Sequence, residues 1–214
     1  RQRQMCIRDR LKSHHATAEK RYYPLAQEVI TGTYVGDYDY VLDLLDRCYF
    51  PTREGVANFH DNFVDALILA GEEKIAEGKV EQAVTLYKKA FTYPENHQVF
   101  LVDERATHDA QINYCLGEAY AALGQDAEAE KYWKLAAEQD YELKGSKDFR
   151  YWTGLALERL GRKAEAEAIF SALVADGEAA VVTQHVNFYG AEGTTGVTVD
   201  IINSAAYYTP VSYT

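Results

Sequence analysis

The chain has 214 residues, 47% of them hydrophobic, which is enough to bury a sizeable core. Its 33 Asp and Glu against 22 Lys and Arg give a net charge of −11, which repels nucleic acid and anionic membrane and favours a basic partner. Three cysteines are too few and too scattered for a disulfide framework or a metal site, and no apolar run approaches the ~20 residues of a membrane span, so a cytoplasmic protein is expected.

Both ends of the chain look foreign to the rest. Cys6, Ile7, Arg8 and Asp9 can be encoded by TGTATAAGAGAC, and Val211, Ser212, Tyr213 and Thr214 by its reverse complement, GTCTCTTATACA. Both stretches resemble the translated end of a transposase adapter used in preparing sequencing libraries. Residues 1–10 and 210–214 are therefore expected to lie outside the fold, with the chain a fragment of a longer product. Residues 1–10 hold four Arg and one Asp, so the remainder is more acidic than the whole.

Residues 11–52 read as a helical hairpin or half repeat. Its helices are expected near 22–32 and 38–48, around Gly36 and Asp37, with Val41, Leu44, Leu45 and Cys48 as an apolar stripe at helical spacing. Tyr49, Phe50 and Pro51 end it. Residues 53–176 then carry one pattern three times: a glycine, a second glycine at plus 7, an alanine at plus 12, an aromatic at plus 16 and a small or aliphatic residue at plus 19. The copies are Gly71, Gly78, Ala83, Tyr87, Ala90; Gly117, Gly124, Ala129, Trp133, Ala136; and Gly154, Gly161, Ala166, Phe170, Leu173. The first glycine lets two helices lie close, the second supplies the turn, and the alanine sits where a larger side chain would hold the pair apart. Helix pairs are expected at 58–77 and 80–92, 107–123 and 126–139, and 147–160 and 163–176. Extra residues fall between copies, the largest insertion around Tyr93, Pro94, Glu95 and Asn96. Past Gly177 the pattern breaks. Gly190, Gly193 and Gly196 mark a loop, and 199–208 reads as the opening of a further repeat with an exposed apolar end, closing a segment of 177–209.

The best copy, with Leu116, Gly117, Tyr120, Gly124, Ala129, Trp133 and Ala136, resembles a tetratricopeptide repeat, and the flanking copies are degenerate relatives with Lys74 and Leu157 at the aromatic position. The resemblance implies an all-α fold, an α-α superhelix of antiparallel helix pairs. A second resemblance, carried by residues 48–55 and 90–96, is to the C-terminal repeat region of large bacterial proteins that begin with a β-rich domain of unknown function and accompany carbohydrate-utilisation genes. It implies a positioning or glycan-binding arm whose active domain lies elsewhere.

In such stacks the first helix of each pair lines the concave face. That implies a groove formed by Asp65, Glu72, Gln111, Tyr114, Glu118, Asp148, Tyr151, Trp152 and Glu158, with Ile68, Cys115 and Leu155 near it. Its aromatics offer flat anchors and its carboxylates favour Lys or Arg from a protein or peptide, with a glycan as the alternative ligand. The plainer reading is a core aromatic and a solvated glutamate at each position. The basic clamp that grips a peptide carboxylate in chaperone-associated relatives is missing from these positions. Catalytic signatures are absent from the sequence. His14, His15, His60, His97, His108 and His185 are scattered and read as surface or capping residues; Glu72 and Glu118 match only because the repeat does; no cofactor, metal or catalytic residue is expected.

Overall fold

The computed structural model describes residues 2–51, 59–97, 108–139 and 149–189, with side chains placed for 5–51, 59–97, 108–139 and 149–179. Among the described residues the fold is all-α, without strands. Its helices are α1 (Gln2–Ser13), α2 (His15–Ala18), α3 (Tyr22–Val35), α4 (Tyr38–Arg47), α5 (His60–Ala76), α6 (Val80–Lys89), α7 (Asp109–Ala122), α8 (Asp126–Ala137), α9 (Arg150–Arg159) and α10 (Lys163–Tyr189). From α3 onward each helix packs against its sequence neighbours, and three antiparallel pairs, α5/α6, α7/α8 and α9/α10, follow one another as a helical repeat. No described helix is long and apolar enough to cross a membrane.

The glycine pattern has a direct steric cause. A Cβ at Gly71 would lie 2.2 Å from the ring of Tyr87; at Gly117 it would lie 2.4 Å from Trp133, and at Gly154 2.4 Å from Phe170. Each aromatic of a second helix is thus laid on bare backbone of the first, at the same point in each pair. Gly78, Gly124 and Gly161 close the pairs with φ of 75°, 70° and 77°, a left-handed conformation that glycine adopts without cost. Behind them the amides of Lys79, Gln125 and Arg162 bond back to the carbonyls of Lys74, Tyr120 and Leu157, which satisfies the last turn of each first helix. Ala83, Ala129 and Ala166 are buried at the crossings. Ala129→Leu is expected to cost roughly 1–3 kcal/mol by overpacking, measured by denaturant melting.

The α3/α4 hairpin closes differently. Gly36 makes the turn at φ 84°, and the close approach is at Gly32, where a Cβ would meet Val41 at 2.5 Å. The spacing is four residues instead of seven. Val41, Leu44, Leu45 and Cys48 are buried as the periodicity predicts, and the hairpin docks on α5 through Phe50, Phe59 and Phe63. The insertion after α6 secures that joint. In its 3-10 turn, Glu95–His97, the Asn96 amide donates to the carbonyls of Leu45 (2.9 Å) and Cys48 (2.6 Å), while His97 Nε2 donates to Leu45 (2.8 Å). These are carbonyls that the end of α4 leaves without helical partners. Asn96→Ala should therefore cost about 1–3 kcal/mol in equilibrium unfolding, while Thr92→Ala, an exposed position in the same connection, changes it by less than about 0.5 kcal/mol.

Among the described residues two apolar clusters result, and they are unequal. The larger runs from Leu25 in α3 to Ala119 in α7. The smaller has Ala110, Ala136 and Ala156 at its centre, with Tyr114, Trp133, Phe149 and Trp152 half-buried around them. The expected helices agree with the observed ones to within a few residues except the last. α10 continues through Gly177 to Tyr189, because that glycine keeps a helical φ and does not form the left-handed cap seen at the other turns. Residues 190–214, including the expected opening of a further repeat at 199–208, lie outside the described residues. Of residues 1–10, expected to lie outside the fold, 2–10 instead supply most of α1, which packs against α3: Arg8 pairs with Asp9 and with Asp37 across the contact, while Met5, Cys6 and Ile7 are exposed.

Candidate partner-binding groove

The first helices α5, α7 and α9 present one exposed face each. On α5, Asp65 and Glu72 stand seven residues apart, two helical turns, and are exposed. Their carboxyl pKa values are nevertheless raised by the protein around them. Access to water combined with close surroundings is what a concave surface provides. Neither makes an ion pair among the described residues.

On α7, Gln111 and Tyr114 are half-buried, and Glu118 is not a free charge. Its Oε1 accepts from Trp133 Nε1 at 3.1 Å and its Oε2 pairs with Arg159 Nη2 at 2.6 Å. The hydrogen bond to Glu118 raises the Arg159 pKa, and the nearby Tyr114 adds to the effect. Burial, then the charge of Glu118, raises the Tyr114 hydroxyl. Cys115 lies between the two acids: burial first and then the charges of Glu72 and Glu118 push its thiol up, so it is an inert piece of groove floor.

On α9 the aromatic residues form a continuous ladder. Tyr114 lies 5.7 Å from Trp152 (centroid to centroid), Trp152 5.4 Å from Tyr151 edge to face, and Tyr151 5.9 Å from Phe170. Trp152 is half-buried in the smaller core, whereas Tyr151 keeps 47% of its surface exposed. Leu155 and Glu158 continue its face at plus 4 and plus 7, and Glu158 is exposed. Asp148 lies outside the described residues. The expected groove residues are thereby sorted: Asp65, Glu72, Tyr151 and Glu158 are open to solvent; Gln111, Tyr114, Glu118 and Trp152 are partly used inside the protein; and Ile68 and Cys115 are buried.

The histidines correct the sequence reading. His60, His97 and His108 are buried, at 8%, 1% and 8% exposure, and are not surface groups; His97 does cap the end of α4 through the Leu45 carbonyl, whereas the His108 side chain makes no capping bond to α7. His60 stacks on Tyr93 at 4.2 Å, and His97 meets Phe50 and Phe63 edge-on. Burial lowers the pKa of His60 to about 4 and also lowers that of His97. At His108 burial acts the same way, but the hydrogen bond to Asp61 and the charges of Asp65 and Asp61 outweigh it and raise the pKa. Nothing in helical periodicity distinguishes a buried histidine from an exposed one. The only sequence signal was the aromatic company of Phe59, Phe63 and Tyr93.

No known protein family, curated protein or solved structure matches this chain. Among the described residues no group of three or more His, Cys, Asp or Glu could hold a metal ion.

Proposed function

We propose that the chain is a non-catalytic scaffold of tetratricopeptide-like repeats that holds an extended, basic protein segment in the groove of α5, α7 and α9. The observation that carries this reading is the pairing of an exposed aromatic anchor, Tyr151, backed by Trp152 and Phe170, with two carboxylates, Asp65 and Glu72, that make no ion pair among the described residues. A rigid ring on a helix loses little entropy on binding, and an unpaired carboxylate in a partly desolvated groove gains from an incoming Lys or Arg. Glu118 supports the groove wall in this reading and does not contact the partner, since Arg159 already neutralises it. A glycan is the second ligand class, favoured by the exposed Tyr151 ring, on whose face a sugar can stack. The wider resemblance to bacterial proteins associated with carbohydrate use supports that alternative.

Binding to arrays of basic peptides and of glycans separates the two. For a peptide, Tyr151→Ala is expected to weaken binding about tenfold or more, and Glu72→Lys to weaken it in a manner that fades as salt rises. For a neutral glycan only Tyr151→Ala acts. Glu118→Gln should reduce stability more than affinity, because it leaves Arg159 unpaired. Binding that maps outside Asp65, Glu72 and Tyr151 on both arrays would overturn the groove assignment.

A further inference from the structure

His108 occupies the seam where three repeats meet. It precedes α7, and its ring lies 4.6 Å from Phe149 at the start of α9. Its Nε2 faces Asp61 Oδ1 of α5 at 3.5 Å, and its Nδ1 faces Gln111 Oε1 of α7 at 3.2 Å. Both nitrogens therefore look at acceptors. With the Gln111 oxygen turned to Nδ1, a neutral imidazole donates to only one of them and an imidazolium to both; a neutral ring keeps both contacts only by accepting from the Gln111 NH2, and then without the charge attraction to Asp61. His60 and His97, buried in the same region, have no such pair of acceptors. His97 gives its Nε2 to the Leu45 carbonyl and leaves Nδ1 without a hydrogen-bond partner.

We propose that His108 is a proton-operated clasp at the α5 end of the groove: as imidazolium it ties Asp61 of α5 to Gln111 of α7, and as neutral imidazole it loses the charge attraction that holds Asp61. The groups around it are Asp61, Asp65 and the neutral His60 from α5, and Asp109 beside it on α7. On the α9 side Phe149 meets the ring, and the neighbouring Arg150 is engaged with Asp176. The raised pKa of His108 is consistent with the acids prevailing over burial. For a partner, the consequence rests on the groove reading above. The clasp and an incoming cation share Asp61 and Asp65, so a basic segment competes with the proton and binds more tightly as pH rises through the His108 titration.

The test uses the full chain in two arms. In the first, NMR follows the His108 ring while hydrogen exchange, corrected for its intrinsic pH dependence, follows the first turns of α5 and α7 between about pH 5.5 and 8.5. Exchange there is expected to rise by about threefold or more as His108 loses its proton, and to lose that dependence in both His108→Gln and Asp61→Asn. Exchange that ignores the His108 midpoint, or that keeps its pH dependence in Asp61→Asn, overturns the clasp. Asp61 is exposed, so that variant decides the matter even if His108→Gln does not fold. The second arm measures binding of a lysine- and arginine-rich decapeptide. Affinity about threefold higher at pH 8 than at pH 6, and flat in Asp61→Asn, supports competition for the shared acids. A peptide that binds equally at both pH values overturns the competition. One that binds at neither overturns the groove reading, while the exchange result still decides the clasp.

Discussion

Gly71→Ala is expected to destabilise the chain by about 3 kcal/mol, at the upper end of ordinary overpacking. The new methyl would lie 2.2 Å from the Tyr87 ring, far inside contact distance, and Tyr87 is 1% exposed with no open space to move into. Relief requires the helices α5 and α6 to separate, which strips contacts from Ala83 and Val84 at the same crossing. Gly124→Ala is the control. Nothing lies within 4 Å of its Cβ, so only the left-handed backbone at φ 70° opposes it, for about 1 kcal/mol. Gly117→Ala should fall between the two, because Trp133 is half-buried and has room to swing. Denaturant titration of the three variants gives the order directly. Equal losses for Gly71→Ala and Gly124→Ala would mean that the ring does not rest on the glycine.

Acidification is expected to remove roughly 2–3 kcal/mol of stability through His60 alone. Its pKa in the folded chain, about 4, lies below the ordinary 6.5, so between those values the unfolded chain takes up a proton that the folded chain refuses. The contribution is complete above pH 6.5 and is lost as pH falls towards 4. His97 acts in the same direction. His108 acts oppositely, adding stability on the acid side that disappears as pH climbs through its raised value, and the raised carboxyls of Asp65 and Glu72 likewise favour the folded state on acidification. Because these effects overlap, the informative quantity is a difference. His60→Phe keeps a ring to stack on Tyr93 and removes the proton site, so its stability should fall less than that of the unaltered chain between pH 7 and pH 4, by roughly 2–3 kcal/mol. Parallel pH curves for the two proteins would show that His60 is not the group being titrated.

What could be read from the sequence was what depends on short-range geometry. A glycine that must admit a ring 16 residues later, and another that must turn the chain left-handed, leave their marks at fixed spacing, and Tyr87, Trp133 and Phe170 are found where that spacing implies. The exception, Gly177, had the same residue type without the following cap, and the helix continued through it. The groove was legible as a set of positions but not as a set of states. That Glu118 is held by an arginine 41 residues away, and Glu72 by none among the described residues, is decided by how far α9 leans over α7, which no local pattern encodes. The buried histidines escaped for the same reason: their surroundings come from segments far apart in the chain, from Leu45 to Phe149.

The inequality of the two cores bears on how this protein responds to a ligand. Among the described residues helices α3 to α7 share one broad apolar cluster, whereas the smaller one joins α7, α8 and α9 through three alanines ringed by partly buried aromatics. In a linear stack each unit is held only by its neighbours, so a ligand that adds contacts to one unit steadies it locally. Among the described residues the smaller apolar cluster lies at the end carrying Tyr151 and Trp152. A ligand settling on those rings would add apolar contact to α9, and occupancy would be felt as a slower, later fraying of α9 and α10 instead of as a change of shape.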